Sequence, residues 1–164
     1  MKIGDKLANA LNDQINYELY SGYIYLSMAA WFEDQHLDGM AHWMKLQATE
    51  EYEHAMRFWN HITDRGGKVV LTTVEAPKTE WASPLEAWED AYQHELKVTK
   101  RIFNIGELAA AEDDHSATPL LHWFYSEQIE EEEQTMKVRD LLTLIGDAKN
   151  ALLMLDAKLG QREG

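Results

Sequence analysis

The chain has no cysteine, which excludes a disulfide framework and any thiolate metal site. Such a composition fits a reducing compartment, and the cytoplasm is the expected location. Basic residues are also in short supply, at 15 against 29 acidic ones, for a formal net charge of −14. That balance disfavours nucleic acid and anionic membrane as partners and favours cations. No apolar run is long enough to span a bilayer, and the opening Met1-Lys2-Ile3-Gly4-Asp5 lacks the apolar segment of a signal peptide. Proline is rare as well. Two of the three, Pro84 and Pro119, fall where a helix would begin, so they interrupt nothing.

What remains is helical periodicity over nearly the whole chain. Apolar residues recur at steps of three and four through about residues 5–34, 38–65, 83–112 and 116–145, with a short segment over 147–159. Gly39 lies near the first turn, Gly66-Gly67 closes the second segment, and Ser83-Pro84 opens the third as cap and first helical residue. Strand-like alternation competes only over residues 68–74. At 164 residues, one all-α domain spanning residues 1–164 is expected.

The connections set the topology. Helices of about 28 residues run about 42 Å. The turns near residues 35–37 and 113–115 can only reverse direction. The stretch 66–82, at about 3.3 Å per extended residue, can travel the length of such a bundle. The second and third helices are therefore expected to run parallel, giving a four-helix bundle with one long crossover and a short fifth C-terminal helix.

Each long helix carries an apolar stripe that a carboxylate interrupts near its middle. The first reads Leu7, Leu11, Ile15, Glu18, Gly22, Tyr25, Ala29 and Phe32; the second reads Met44, Gln47, Glu51, His54, Phe58 and Ile62. The third is assigned Trp88, Tyr92, Glu95, Thr99, Ile102, Gly106 and Ala109, and the fourth Phe124, Gln128, Glu131, Val138, Leu142 and Ile145. On this phasing His94 points away from the core. One interior glutamate could be a misplaced surface residue; four at similar depth call for a cation, because uncompensated buried carboxylates are costly.

Four glutamates and a histidine make a hard, oxygen-rich donor set suited to iron or manganese. Glu51 and His54 stand one turn apart on one face. Glu51 is the natural bridge, with Glu18 and His54 completing one ion's ligands and Glu95 and Glu131 the other's. Three residues after Glu131 stands Gln134, so the second ion lacks an imidazole and is expected to bind more weakly. Glu50, Glu127 and Glu130 lie about 100° off these stripes and together suggest a third metal position.

The segments Asn12-Asp13-Gln14-Ile15-Asn16-Tyr17-Glu18, Glu50-Glu51-Tyr52-Glu53-His54-Ala55, His94-Glu95 and Ser126-Glu127-Gln128-Ile129-Glu130-Glu131-Glu132, with the tail Leu152-Leu153-Met154-Leu155-Asp156-Ala157-Lys158-Leu159, resemble the non-haem ferritins of bacteria and archaea over essentially the whole chain. Ferritin-like di-iron bundles are themselves a standing example of the Glu-x-x-His arrangement. The resemblance implies a ferritin-like fold and a ferroxidase centre of Glu18, Glu51, His54, Glu95, Gln128 and Glu131. It further implies a third site of Glu50, Glu127, Glu130 and Glu131, and a role for Tyr25 in electron supply during oxygen reduction. It also implies a homo-oligomer, a hollow cage of 24 chains around a ferric mineral.

The expected function is accordingly iron storage with ferroxidase activity, with Fe(II) and oxygen as substrates, two irons at the centre, a third nearby, and no haem. The alternative is a dedicated di-iron oxidase or peroxidase, or a haem-binding bacterioferritin; their more symmetrical His-bearing sites fit Gln134 less well. Leu19, Tyr20, Tyr23, Ile24, Met28 and Trp31 add apolar surface outside the first helix's stripe, as a subunit interface would require.

Overall fold

The computed structural model describes residues 2–164. Five α-helices follow one another: α1 (Asp5–Asp34), α2 (Asp38–Asp64), α3 (Pro84–Ala111), α4 (Thr118–Ile145) and α5 (Lys149–Leu159). A single 3₁₀ turn, His115–Ala117, precedes α4 and delays its start by two residues relative to the periodicity.

Local chemistry explains the ends. Ser83 Oγ accepts from the Glu86 amide at 3.2 Å while the Glu86 carboxylate accepts from the Ala82 amide at 2.6 Å, and Pro84 occupies the first turn of α3. At the end of α2, Gly66 adopts a φ of 70°, and the amides of Gly66 and Gly67 donate to Thr63 O and Ile62 O at 2.9 and 2.8 Å. That is a Schellman stop. The two short reversals use the same motif without glycine: His36 and Asp113 take left-handed conformations, and Leu37 and Asp114 donate back to Phe32 O and Ala109 O.

Helix α1 packs chiefly on α2, and α3 on α4, forming two antiparallel hairpins. Between them residues 67–82 carry no helix or strand, so the alternation over 68–74 makes no ladder. This crossover lies along α1. Asn12 donates to Lys68 O and accepts from the Val70 amide, Asn16 donates to Thr73 O, and Ser27 donates to Lys78 O. The progression from Asn12 to Ser27 carries the chain from one end of the bundle to the other. In consequence the C-terminal ends of α2 and α3 lie together, joined by Arg65 Nη2 on Asp114 at 2.7 Å. The second and third helices are parallel.

The core has two apolar halves. One holds Tyr25, Phe32, Met40, Met44, Trp43 and Trp88, the other Leu7, Leu11, Phe58, Ile102, Leu121 and Phe124. Between them runs a buried polar layer. Helix α3 presents Ala87, Trp88, Ala91, His94, Glu95, Val98, Ile102, Ile105 and Ala109 inward. The stripe assigned from sequence is thus corrected: Tyr92, Thr99 and Gly106 stand at its edge, only partly buried. Small Ala87 and Ala91 let the helix turn this face toward α1, and it carries His94 inside.

Helix α5 closes the opposite end by packing on α2. Its Asp156 carboxylate accepts from the Gly39 and Met40 amides at 3.2 and 2.8 Å, capping α2 where Leu37 offers no side-chain oxygen. Gly39 is required there, since a Cβ would sit 1.8 Å from Asp156 O.

Candidate metal centre

Four helices supply the polar layer. Glu18 comes from α1, Glu51 and His54 from α2, Glu95 from α3, and Gln128 and Glu131 from α4, and all are buried. Each side chain is held by a named neighbour. Gln14, one turn before Glu18, donates Nε2 to Glu18 Oε1 at 2.8 Å, and Arg101 Nε donates to Gln14 Oε1 at 2.9 Å. Gln47, one turn before Glu51, donates Nε2 to Glu131 Oε2 at 2.7 Å and to Glu51 Oε1 at 3.2 Å. Tyr25 donates its hydroxyl to Glu95 Oε1, and Gln128 donates to Glu95 Oε2 at 3.3 Å. Glu18 Oε2 is buried with no partner.

His54 is the hinge of the arrangement. Its Nδ1 lies 3.4 Å from Glu51 Oε2 and its Nε2 3.6 Å from Glu127 Oε1. Two groups of ligand atoms, each within 4.8 Å of one another, meet on this ring: Glu18, Glu51 and His54, and His54, Glu127 and Glu131. The first is the set expected for one ion. The second differs from expectation. It draws in Glu127 from the residues assigned to a third position, while Glu95 is turned to Tyr25 and Gln128. Glu130 is exposed and accepts from Gln134 at 2.9 Å, and Glu50 binds Arg162 at 2.6 Å.

The layer is short of positive charge. Burial, then repulsion from Glu95, lifts the Glu51 carboxyl well above the usual carboxylate range. Burial likewise raises Glu131 to about 8, with Glu95 adding to it, and raises Glu95 to about 7 against the hydrogen bonds from Tyr25 and Gln128. Burial pulls His54 down, but its bonds to Glu127 and Glu51 prevail and carry it to about 11. In the metal-free chain, then, Glu51, Glu95, Glu131 and His54 all hold protons more tightly than usual. A divalent cation can replace those protons, and the orphaned Glu18 oxygen and the oxygen-rich donor set fit a hard ion.

Helical phasing puts His94 outside the core; the structure buries it. Its Nε2 is 2.7 Å from Ser21 Oγ, its ring stacks on Tyr17 at 5.4 Å and meets Tyr25 edge-on at 6.3 Å, and burial lowers it to about 4. It is a neutral packing residue behind Tyr25. Also unforeseen were Gln14 and Gln47 as carboxylate holders. The signal was available: a Gln four residues before the interior Glu occurs in both α1 and α2. Trp123 sits edge-on to His54 at 5.4 Å with Arg57 over its face at 3.6 Å, closing that side of the ring.

Residues 8–145 match the ferritin-like domain family. The bacterial non-heme ferritin of Staphylococcus aureus (strain USA300) is 37% identical over 160 residues, covering 98% of this chain and 96% of that protein. Among solved structures, an open pore ferritin from the hyperthermophilic archaeon Archaeoglobus fulgidus superposes with a TM-score of 0.97 at 46% identity, covering 98% of each chain. A humanized archaeal ferritin superposes at 0.98 with 44% identity over 99% of this chain and 100% of that one. With four helices, one crossover, a short fifth helix and a carboxylate layer all falling inside these full-length matches, the chain belongs to the ferritin family, among the non-haem ferritins.

Proposed function

We propose that this chain is an iron-storage ferroxidase of the cytoplasm, assembled as a cage of 24 copies. The observation that carries the reading is the buried layer of four glutamates, Glu18, Glu51, Glu95 and Glu131, around a single histidine, His54, an excess of acidic groups that bound cations would offset. Two Fe(II) ions are the substrates held there, one by Glu18, Glu51 and His54, the other by Glu51, Glu95 and Glu131 with Gln128 beside them. Side by side they can pass two electrons to oxygen, and carboxylate ligands favour the Fe(III) product. Tyr25 supplies a further electron in this reading, which its hydroxyl's bond to Glu95 supports. Glu50, Glu127 and Glu130 provide the third position, and the shared contact of Glu127 and Glu131 with His54 supports traffic between it and the centre.

Assembly has its own support. An apolar groove of about 420 Å³ between α1 and α2 is lined by Leu19, Tyr23, Leu26, Ala48, Tyr52 and Val74. Tyr23, Leu26 and Tyr52 are about half exposed in the single chain. A groove of this kind suits a second copy. No described helix is long and apolar enough to cross a membrane.

Anaerobic titration of the metal-free protein with Fe(II) tests the site. Two equivalents per chain at the centre, the second held less tightly than the first, and a still weaker third are expected, with Glu18→Ala removing the tightest. Binding that ignored Glu18→Ala and Glu131→Ala alike would place the iron elsewhere.

A further inference from the structure

Beyond α5 the chain turns back on itself. Gly160 and Arg162 donate their amides to Asp156 O and Leu159 O, and the Arg162 side chain folds onto α2. There it has a built seat. Nη2 donates to Glu50 Oε2 at 2.6 Å, Nη1 donates to Gln47 Oε1 at 3.0 Å and to Trp43 O at 3.3 Å, and the guanidinium lies 4.3 Å over the Trp43 ring. Its own carbonyl meets the His42 ring at 2.8 Å. The Arg162 side chain is only 14% exposed, although it stands three residues from the end of the described chain's last helix.

Two features of this seat bear on iron. Glu50 is a carboxylate assigned to the third position, and a guanidinium already neutralises it. Gln47 is the amide that holds both Glu51 and Glu131, and Arg162 caps its oxygen, so its N–H groups are turned toward those carboxylates. One residue of the C-terminal tail therefore touches the third position directly and the di-iron centre through a single amide. A charge-assisted bond of this kind is strong enough to compete with a weakly held ion and weak enough to be exchanged.

We propose that Arg162 is a displaceable internal cation guarding the third metal position: an incoming ion gains Glu50 only when the guanidinium releases it. The proposal rests on the reading of Glu50 as a third-position ligand. It makes the C-terminal tail an element that lowers the third position's hold on an ion. It also gives the tail a reason to return to α2 after α5 has ended.

The test is calorimetric titration of the assembled, metal-free protein with Zn(II), a redox-inert probe. In Arg162→Ala the weakest binding step should tighten by about three- to tenfold, the range of a partly exposed charge pair. The number of tight equivalents should not change. Arg162→Lys, which keeps the charge but loses the fork, should fall between the two. Glu50→Gln should abolish the effect, so that the double variant Arg162→Ala/Glu50→Gln binds like Glu50→Gln alone. A second readout needs no affinity at all: filling of the third position should change Trp43 emission as the guanidinium leaves its ring, and Arg162→Ala should lose that change. A weakest step unmoved or weakened in Arg162→Ala would overturn the proposal and leave Arg162 a packing residue. Failure of the parent protein to bind Zn(II) at any carboxylate of the layer would instead overturn the underlying site reading, and this proposal with it.

Discussion

Replacing Glu51 by alanine is expected to abolish rapid Fe(II) oxidation, lowering the initial rate by more than about a hundredfold. Loss of an outer partner of a metal ligand alone costs about ten- to a hundredfold, and Glu51 is more than a partner. In the proposed centre it is the one carboxylate shared by both ions, and it faces His54 Nδ1 at 3.4 Å while accepting from Gln47 at 3.2 Å. Without it neither ion keeps its place and the two cannot act as a pair. The isosteric Glu51→Gln separates chemistry from folding. Glu51 is buried among Glu95 and Glu18 and is held far above its ordinary carboxylate range, so it strains the metal-free layer. The amide should therefore melt at or above the parent temperature when metal-free while oxidising Fe(II) slowly. Stopped-flow oxidation with a parallel thermal melt checks both halves. Oxidation at the parent rate in Glu51→Ala would refute the bridging role.

A second large effect is the dependence of stability on pH, with opposite sign in the metal-free and metal-bound proteins. Glu95 and Glu131 rise from 4.5 to about 7 and about 8, and His54 rises from 6.5 to about 11. Between these limits the folded chain holds more protons than the unfolded one. Stability then falls as pH rises, and this contribution is complete only below the unfolded values. Metal-free protein should lose melting temperature from pH 5.5 to pH 9, most steeply below about pH 7, where folded Glu95 and Glu131 still hold protons that the unfolded chain has lost, and more gently above, where His54 alone carries the excess. A bound divalent cation must expel the same protons, so its affinity, and the melting temperature it confers, should climb over that range. Glu95→Gln combined with Glu131→Gln should flatten the metal-free slope. A slope unchanged by that pair would assign the pH dependence to the acidic surface and not to the layer.

Much of this was open to inspection in the chain itself, and the reasons are physical. The stripe of α1 is legible because Leu7, Leu11, Ile15, Tyr25 and Phe32 are large and apolar and all are fully buried. The crossover is legible because Gly66-Gly67 stops one helix and Ser83-Pro84 starts the next, with nothing helical between. Phasing failed on α3, where Ala87 and Ala91 carry little hydrophobic signal beside Tyr92 and Thr99. Apolar periodicity there favours the side away from α1 and leaves His94 outside the core. The grouping of Glu127 and Glu131 with His54, apart from Glu50 and Glu130, depends on side-chain reach across two helices. Local spacing cannot supply that. Arg162 lies beyond periodicity altogether, since its partners lie more than a hundred positions earlier in the chain, and only the seating of α5 on the start of α2, through Asp156 on the Gly39 and Met40 amides, brings them together.

Storage is the central claim, and iron counted per chain tests it most directly. The protein would be loaded aerobically with excess Fe(II), passed over a sizing column, and the iron measured in the protein peak. Many tens of iron atoms per chain, eluting with a large assembly, are the predicted result. About two per chain in a small oligomer, the content of a resident di-iron cofactor, would contradict it and make this ferritin fold the housing of a dedicated oxidase.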